Sequence, residues 1–150
     1  MHFISLGFQY VITALIILSK EAKGTAIPAS ELARPLNSPS SYLSQRLAKL
    51  IPLGILGSKR GLNGGVFLAK EPDEISLYSI IVAIEGDDFF TNCFLGYKDC
   101  GSIEACPFHD EWSERRDSIR DWLINTTLAD VKIEASEDWM RDRLTFDPKS

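Results

Sequence analysis

Histidine is scarce in this chain: of 150 residues only His2 and His109 carry an imidazole. No Ser-His-Asp set or pair of carboxylates at catalytic spacing accompanies them, so the sequence is poor in general bases and argues against an enzyme. Cysteine is nearly as sparse, and its three copies are an odd number. That count argues against a secreted disulfide framework and for a reducing, cytoplasmic compartment. Long hydrophobic runs are missing too. The longest, Tyr10 to Leu18, is too short to span a bilayer and lacks a basic leader and a cleavage site, so it reads as a buried helix with no membrane role.

Acidic residues are almost absent from the first seventy positions. Only Glu21 and Glu31 stand there against eight Lys and Arg, whereas residues 71–150 carry nineteen acidic residues against eight basic ones. A net charge of −5 therefore hides a basic N-terminal half and an acidic C-terminal half, as expected of a basic working surface joined to a partner-facing or solvated region. With 45% hydrophobic residues the chain can build a core without covalent staples.

What is present reads as a helical head. Phe8, Val11, Ile12, Leu15 and Leu18 fall at helical spacing and predict a first helix with one apolar face. After a polar break at 20–25, Ile27 to Arg34 predicts a short second helix ended by Pro35. Ser38 is the expected cap of a third, with Pro39 in its first position and Leu43, Leu47, Leu50 and Ile51 turned inward. Its outer face would carry Ser40, Ser41, Gln45, Arg46 and Lys49. Two short helices and a tight turn before such a helix make a helix-turn-helix.

Ile55–Ser58 and Val66–Leu68 then predict two strands around Lys59-Arg60-Gly61-Leu62-Asn63-Gly64-Gly65, a basic-tipped hairpin of the kind called a wing. Without a Gly-Lys-Ser/Thr step into a helix it is not a phosphate-binding P-loop. Ser76 should cap a further helix that buries Leu77, Ile80, Ile81 and Ile84 and ends at Gly86. Residues 87–110 form a cysteine-bearing stretch with little periodicity. A longer helix from about Asp110 to Asn125 follows, and its Trp112, Ile119, Trp122 and Leu123 call for a second subunit as cover. The expected organisation is mostly α with a small β-hairpin: a winged helix-turn-helix head over 1–86, a cysteine loop over 87–110, a dimerisation helix over 111–131 and a polar tail over 132–150.

Cys93, Cys100, Cys106 and His109 give C-x6-C-x5-C-x2-H. Soft thiolates with one imidazole suit an iron–sulfur cluster or zinc, though the spacing is neither a zinc finger's nor a ferredoxin's. The other reading of these thiols is that they are buried or spare.

Taken in order, several segments resemble the IscR–NsrR–RirA family of bacterial winged-helix regulators, also called the Rrf-two superfamily. They are Ser5-Leu6-Gly7, Ser38-Pro39-Ser40-Ser41-Tyr42-Leu43, Arg60 to Gly65, Ala83-Ile84-Glu85-Gly86, the three cysteines and Asn125 to Asp130. The resemblance runs from about Ile4 to Val131. It implies a homodimer that reads a palindromic operator in double-stranded DNA. It also implies an iron–sulfur cluster beside the dimer helix, [2Fe–2S] ahead of [4Fe–4S], whose presence or oxidation state alters DNA affinity. The Cys106-Pro107-Phe108-His109 ending matches members in which that histidine is a ligand. Nitric-oxide sensors of the family use an acidic residue of the partner's first helix instead, and Gly7-Phe8-Gln9 offers none.

Departures are the six-residue first cysteine gap where the best-known members have five, Ser44 where one branch carries a discriminating glutamate, and Pro35 and Pro52 at usually helical positions. The expected function is a sequence-specific transcriptional regulator, read as a repressor, with a redox-sensing cluster. Ser40, Ser41, Tyr42 and Lys49 would hold phosphate or sugar, Gln45 and Arg46 would read bases, Arg60 would enter the minor groove and Lys59 would touch the flanking backbone. Tyr42 could equally pack its ring on the first helix. The alternatives are a cluster-free regulator answering to a small molecule or protein partner, and an iron–sulfur electron-transfer protein.

Overall fold

The computed structural model describes residues 4–97 and 106–131. Helix α1 (Leu6–Ser19) is the centre of the core. Its Val11, Ala14 and Leu15 are fully buried, and Phe8, Tyr10, Ile16 and Leu18 nearly so. One apolar face was expected, but the helix is covered on most sides, because α2 (Ala29–Leu36), α3 (Ser40–Ala48) and α4 (Leu77–Glu85) all pack on it. The buried Thr13 is tolerated there because its hydroxyl donates to the Gln9 carbonyl at 2.8 Å. Ser5 caps α1, accepting the Phe8 N–H at 3.2 Å.

The second helix differs from the sequence expectation at both ends. Ile27 is not helical; it exchanges backbone hydrogen bonds with Val66 of the hairpin. Pro35 does not end the helix but lies inside its last turn, where a fixed φ suits the helix and the missing N–H costs one bond of a short ladder. The stop is Asn37, which adopts a left-handed conformation with φ of 50°. The N–H of Ser38 then reaches back to the Ala33 carbonyl at 3.2 Å, a C-terminal closure that asparagine tolerates better than other non-glycine residues. Asn37→Ala is expected to cost about 1 kcal/mol and Asn37→Gly essentially nothing, as read by thermal unfolding.

Helix α3 begins one residue later than its sequence suggested. Pro39 is the cap and the Ser38 hydroxyl donates to the Pro39 carbonyl instead of capping. Leu43, Leu47 and Leu50 are fully buried, whereas Ile51, expected inward, is exposed because the chain leaves the helix at Lys49 and turns. Strands β1 (Leu56–Lys59) and β2 (Gly65–Leu68) pair antiparallel, Leu56 opposite Leu68 and Lys59 opposite Gly65. A 3-10 turn at Pro72–Glu74 leads to α4, capped by Ser76 through the Ser79 N–H at 3.1 Å and closed by Gly86 at φ of 84°, both as expected.

The stretch read as aperiodic contains a short helix, α5 (Asp88–Thr91). Helix α6 (His109–Asn125) leads to a 3-10 turn at Leu128–Asp130 that is stitched to the start of α4. There the Leu77 N–H meets the Thr126 carbonyl at 2.9 Å and the Leu128 N–H meets the Ile75 carbonyl at 2.8 Å. Of the four α6 residues expected to need a second subunit as cover, Leu123 is buried. Trp112 and Ile119 are half-buried against the chain's own core and loop, because α6 packs on α4 and α5. Trp122 is exposed, as is Ile124. Among the described residues no helix is long and apolar enough to cross a membrane.

Candidate nucleic-acid interface and cysteine loop

The outer edge of α3 divides into two groups. Ser40, Ser41, Gln45 and Lys49 are exposed, and Tyr42 and Arg46 are half-buried. Tyr42 meets Tyr10 edge to face at 6.1 Å, so its ring faces the first helix. Burial and the facing Tyr42 raise the Tyr10 phenol above its ordinary pKa. The Arg46 guanidinium stacks over the Tyr42 ring at 5.0 Å. Gly7 makes room for both groups. A Cβ on it would stand 3.0 Å from the Tyr42 hydroxyl and 3.3 Å from Arg46 Nε.

The hairpin is held to the head by the Ile27–Val66 bridge and by Lys59, whose ammonium donates to the Gly24 carbonyl at 2.8 Å and lies over the Phe67 ring. Lys59 is thus an anchor of the hairpin as well as a charge on it. Beyond it Arg60 is exposed and takes part in no ion pair among the described residues, and Leu62 at the tip is fully exposed. Lys23, by contrast, is paired with Glu71, whose hydrogen bond and charge raise the lysine's pKa.

Of the four expected metal ligands, three fall among the described residues; Cys100 lies outside them, as does His2. Cys93 is buried in a closed turn after α5. Its Sγ accepts the Tyr97 N–H at 3.3 Å, and its backbone N–H bonds the Tyr97 carbonyl at 3.1 Å. Cys106 and His109 share the turn that starts α6, the His109 N–H donating to the Cys106 carbonyl at 2.9 Å. Aromatic contacts bring the two turns together. Phe94 meets Phe108 at 5.4 Å and Trp112 at 5.7 Å, and the Trp112 indole donates to the Asn92 carbonyl at 3.0 Å. Among the described residues no three Cys, His, Asp or Glu converge closely enough to hold a metal ion.

Sequence reading missed this aromatic clasp and the Ser5 hydroxyl that donates to the Glu85 carboxylate, joining the start of α1 to the end of α4. The density of rings from Phe89 to Trp112 was the available signal for the first. Nothing in the sequence pointed to the second.

Comparison with known proteins adds an independent line. A family model, Rrf2, described as an iron-dependent transcriptional regulator, matches residues 4–133. The HTH-type transcriptional regulator IscR of Erwinia tasmaniensis is 29% identical over 123 residues, covering 82% of this chain and 74% of that protein. Among solved structures, CymR of B. subtilis, described as its global cysteine regulator, superposes with a TM-score of 0.71 at 29% identity, over 87% of this chain and 95% of that one. IscR of T. potens gives 0.70 at 26% identity, over 91% and 90%.

Proposed function

The chain belongs to the Rrf2 family of iron-dependent transcriptional regulators, and from that premise we propose that it acts as a homodimeric, operator-specific repressor governed by its cysteine loop. It is a DNA-binding regulator and not an enzyme. The observation that carries the finer reading is the hairpin: it is fixed to the head at Ile27 and Gly24 while Arg60 projects from it exposed. A cation on a rigid, glycine-framed tip suits a narrow minor groove. On α3, Ser40, Ser41 and Lys49 would hold the DNA backbone while Gln45 and Arg46 read base edges. The exposed Trp122 and Ile124 of α6 support a second copy as their cover, which makes a palindromic operator the matching target in the cytoplasm.

The donor set of the loop fits an iron–sulfur cluster in kind: two thiols and an imidazole on turns in aromatic contact, with Cys100 between them in sequence. Cys93, Cys100, Cys106 and His109 would hold it, with [2Fe–2S] the preferred form. When bound, such a cluster supplies a one-electron redox centre. The chain's own contribution is the clasp of Phe94, Phe108 and Trp112, which links the state of the loop to the start of α6.

The test is anaerobic purification followed by visible absorption and iron, sulfide and zinc analysis. Iron and acid-labile sulfide with charge-transfer bands, lost in Cys100→Ala, are the expected result. A colourless, metal-free protein would leave the DNA-binding assignment standing and sink the cluster. A second reading, cluster-free control by a small molecule, is favoured by the pocket that opens beside Cys93.

A further inference from the structure

Between the end of α4, helix α5 and the start of α6 lies a pocket of about 500 Å³, within the size range of small-molecule sites. Three aromatic rings line it, Phe89, Phe94 and Trp112, with Trp112 edge to face against the other two at 5.6 and 5.7 Å. The acidic side chains of Glu85 and Asp88 line it as well, and among the described residues no lysine, arginine or histidine does. These observations select the charge of an occupant. An anion would meet two carboxylates of its own charge. A neutral apolar molecule would leave the charge of both carboxylates unmet. A cation with an apolar body satisfies both kinds of wall.

We infer that this pocket binds a small organic ammonium, its charge met by Glu85 and Asp88 and its apolar part by the rings of Phe89, Phe94 and Trp112. The pocket shares one wall with the cysteine loop, Cys93, whose Sγ accepts the Tyr97 N–H, while the groups that would hold the ammonium lie on α4, α5 and α6 and at Phe94. It has a route to the recognition helix. Glu85 accepts the hydroxyl of Ser5, Ser5 caps α1, and Gly7 two residues on abuts Tyr42 and Arg46. An ammonium that engages Glu85 competes with Ser5 and loosens the start of α1 beside Arg46. That consequence for DNA rests on the proposed function; the binding itself does not.

The experiment is titration calorimetry of the full chain with phenethylammonium, the neutral 2-phenylethanol and the anionic 3-phenylpropionate. Saturable binding of the ammonium at one site per chain is expected, at least tenfold tighter than the alcohol, with the carboxylate weakest. In Glu85→Gln/Asp88→Asn, checked for folding by circular dichroism, the ammonium should lose at least tenfold while the alcohol is unchanged. Equal affinity for ammonium and alcohol, no saturable binding, or an unaltered ammonium affinity in the double variant would each overturn the inference. Operator anisotropy on the same samples separates the two readings: failure to bind DNA with ammonium binding intact would sink the DNA contacts and leave the pocket standing.

Discussion

Gly65→Ala is expected to abolish operator binding and to lower the melting temperature by about 10 °C, the shift that about 3 kcal/mol produces in a domain of this size. Gly65 has φ of 141°, a conformation that side chains rarely adopt and that costs on the order of 1–3 kcal/mol when forced. Space is the larger obstacle. A Cβ at this position would stand 2.2 Å from the Ile27 carbonyl carbon, 2.3 Å from its oxygen and 2.5 Å from the Pro28 nitrogen. All three are backbone atoms, so no rotamer relieves the overlap. The strand must move away from α2, and the Ile27–Val66 bridge that fixes the hairpin to the head is lost with it. Gly61→Ala is the control: φ there is 101°, yet nothing lies within 4 Å of the new methyl. It carries the strain without the clash and should keep most of the DNA affinity. Thermal unfolding and fluorescence anisotropy on both variants make the comparison. Wild-type affinity in Gly65→Ala would show that the hairpin's attachment does not matter for binding.

The contrast between those glycines marks what could be read from the sequence. That a glycine-rich turn joins two strands here follows from local residue types, although the expected loop residues Lys59 and Gly65 are the last pair of the ladder. Which glycine faces the backbone of a residue nearly forty positions earlier does not, because that is a tertiary contact. The same division runs through the head. The apolar spacings of α1, α3 and α4 and the Ser76 and Gly86 boundaries were legible because each is set within one or two turns. Pro35 misled because a proline's bias on its predecessor is weak against the packing of Leu32, Ala33 and Leu36, all buried, and the asparagine two residues on supplied the true stop. Ile27 misled because its partner, Val66, lies on another element.

At the candidate site the residue types were legible and their engagements were not. The outward face of α3 was identified correctly in Ser40, Ser41, Gln45 and Lys49, but the helical period cannot say that Arg46 lies on the Tyr42 ring or that Gly7 opens the space for it. Lys59 was read as a wing cation for the flanking DNA backbone, and the sequence did not show that its ammonium is also bonded to Gly24 across the head. In the cysteine loop the spacing named candidate donors. The contacts that draw Cys93 toward the Cys106–His109 turn are ring-to-ring, between Phe94 and Phe108, and leave no trace in a ligand pattern.

Arg46→Ala is expected to weaken operator binding by about fivefold to 150-fold, the roughly 1–3 kcal/mol of a bidentate base contact, and to flatten discrimination at one base pair of each half-site. The stacking on Tyr42 makes the guanidinium an oriented group instead of a freely swinging one, which lowers the entropy lost when it docks. Two comparisons sharpen the case. Arg46→Lys keeps the charge but neither the planar fork nor its stacking, so it should recover nonspecific affinity and little specificity. Lys49→Ala, at an exposed position three residues on, should weaken all sequences alike and reduce the slope of affinity against salt by about one. Anisotropy titrations against the operator and against single-base variants, each at several salt concentrations, read both quantities. Because Arg46 also packs beside Gly7, unfolding of the variant must be followed in parallel: a loss that tracks stability and not base identity would make Arg46 a clamp between α1 and α3. A loss confined to one base pair, with the melting temperature unchanged, would make it the residue that reads the operator.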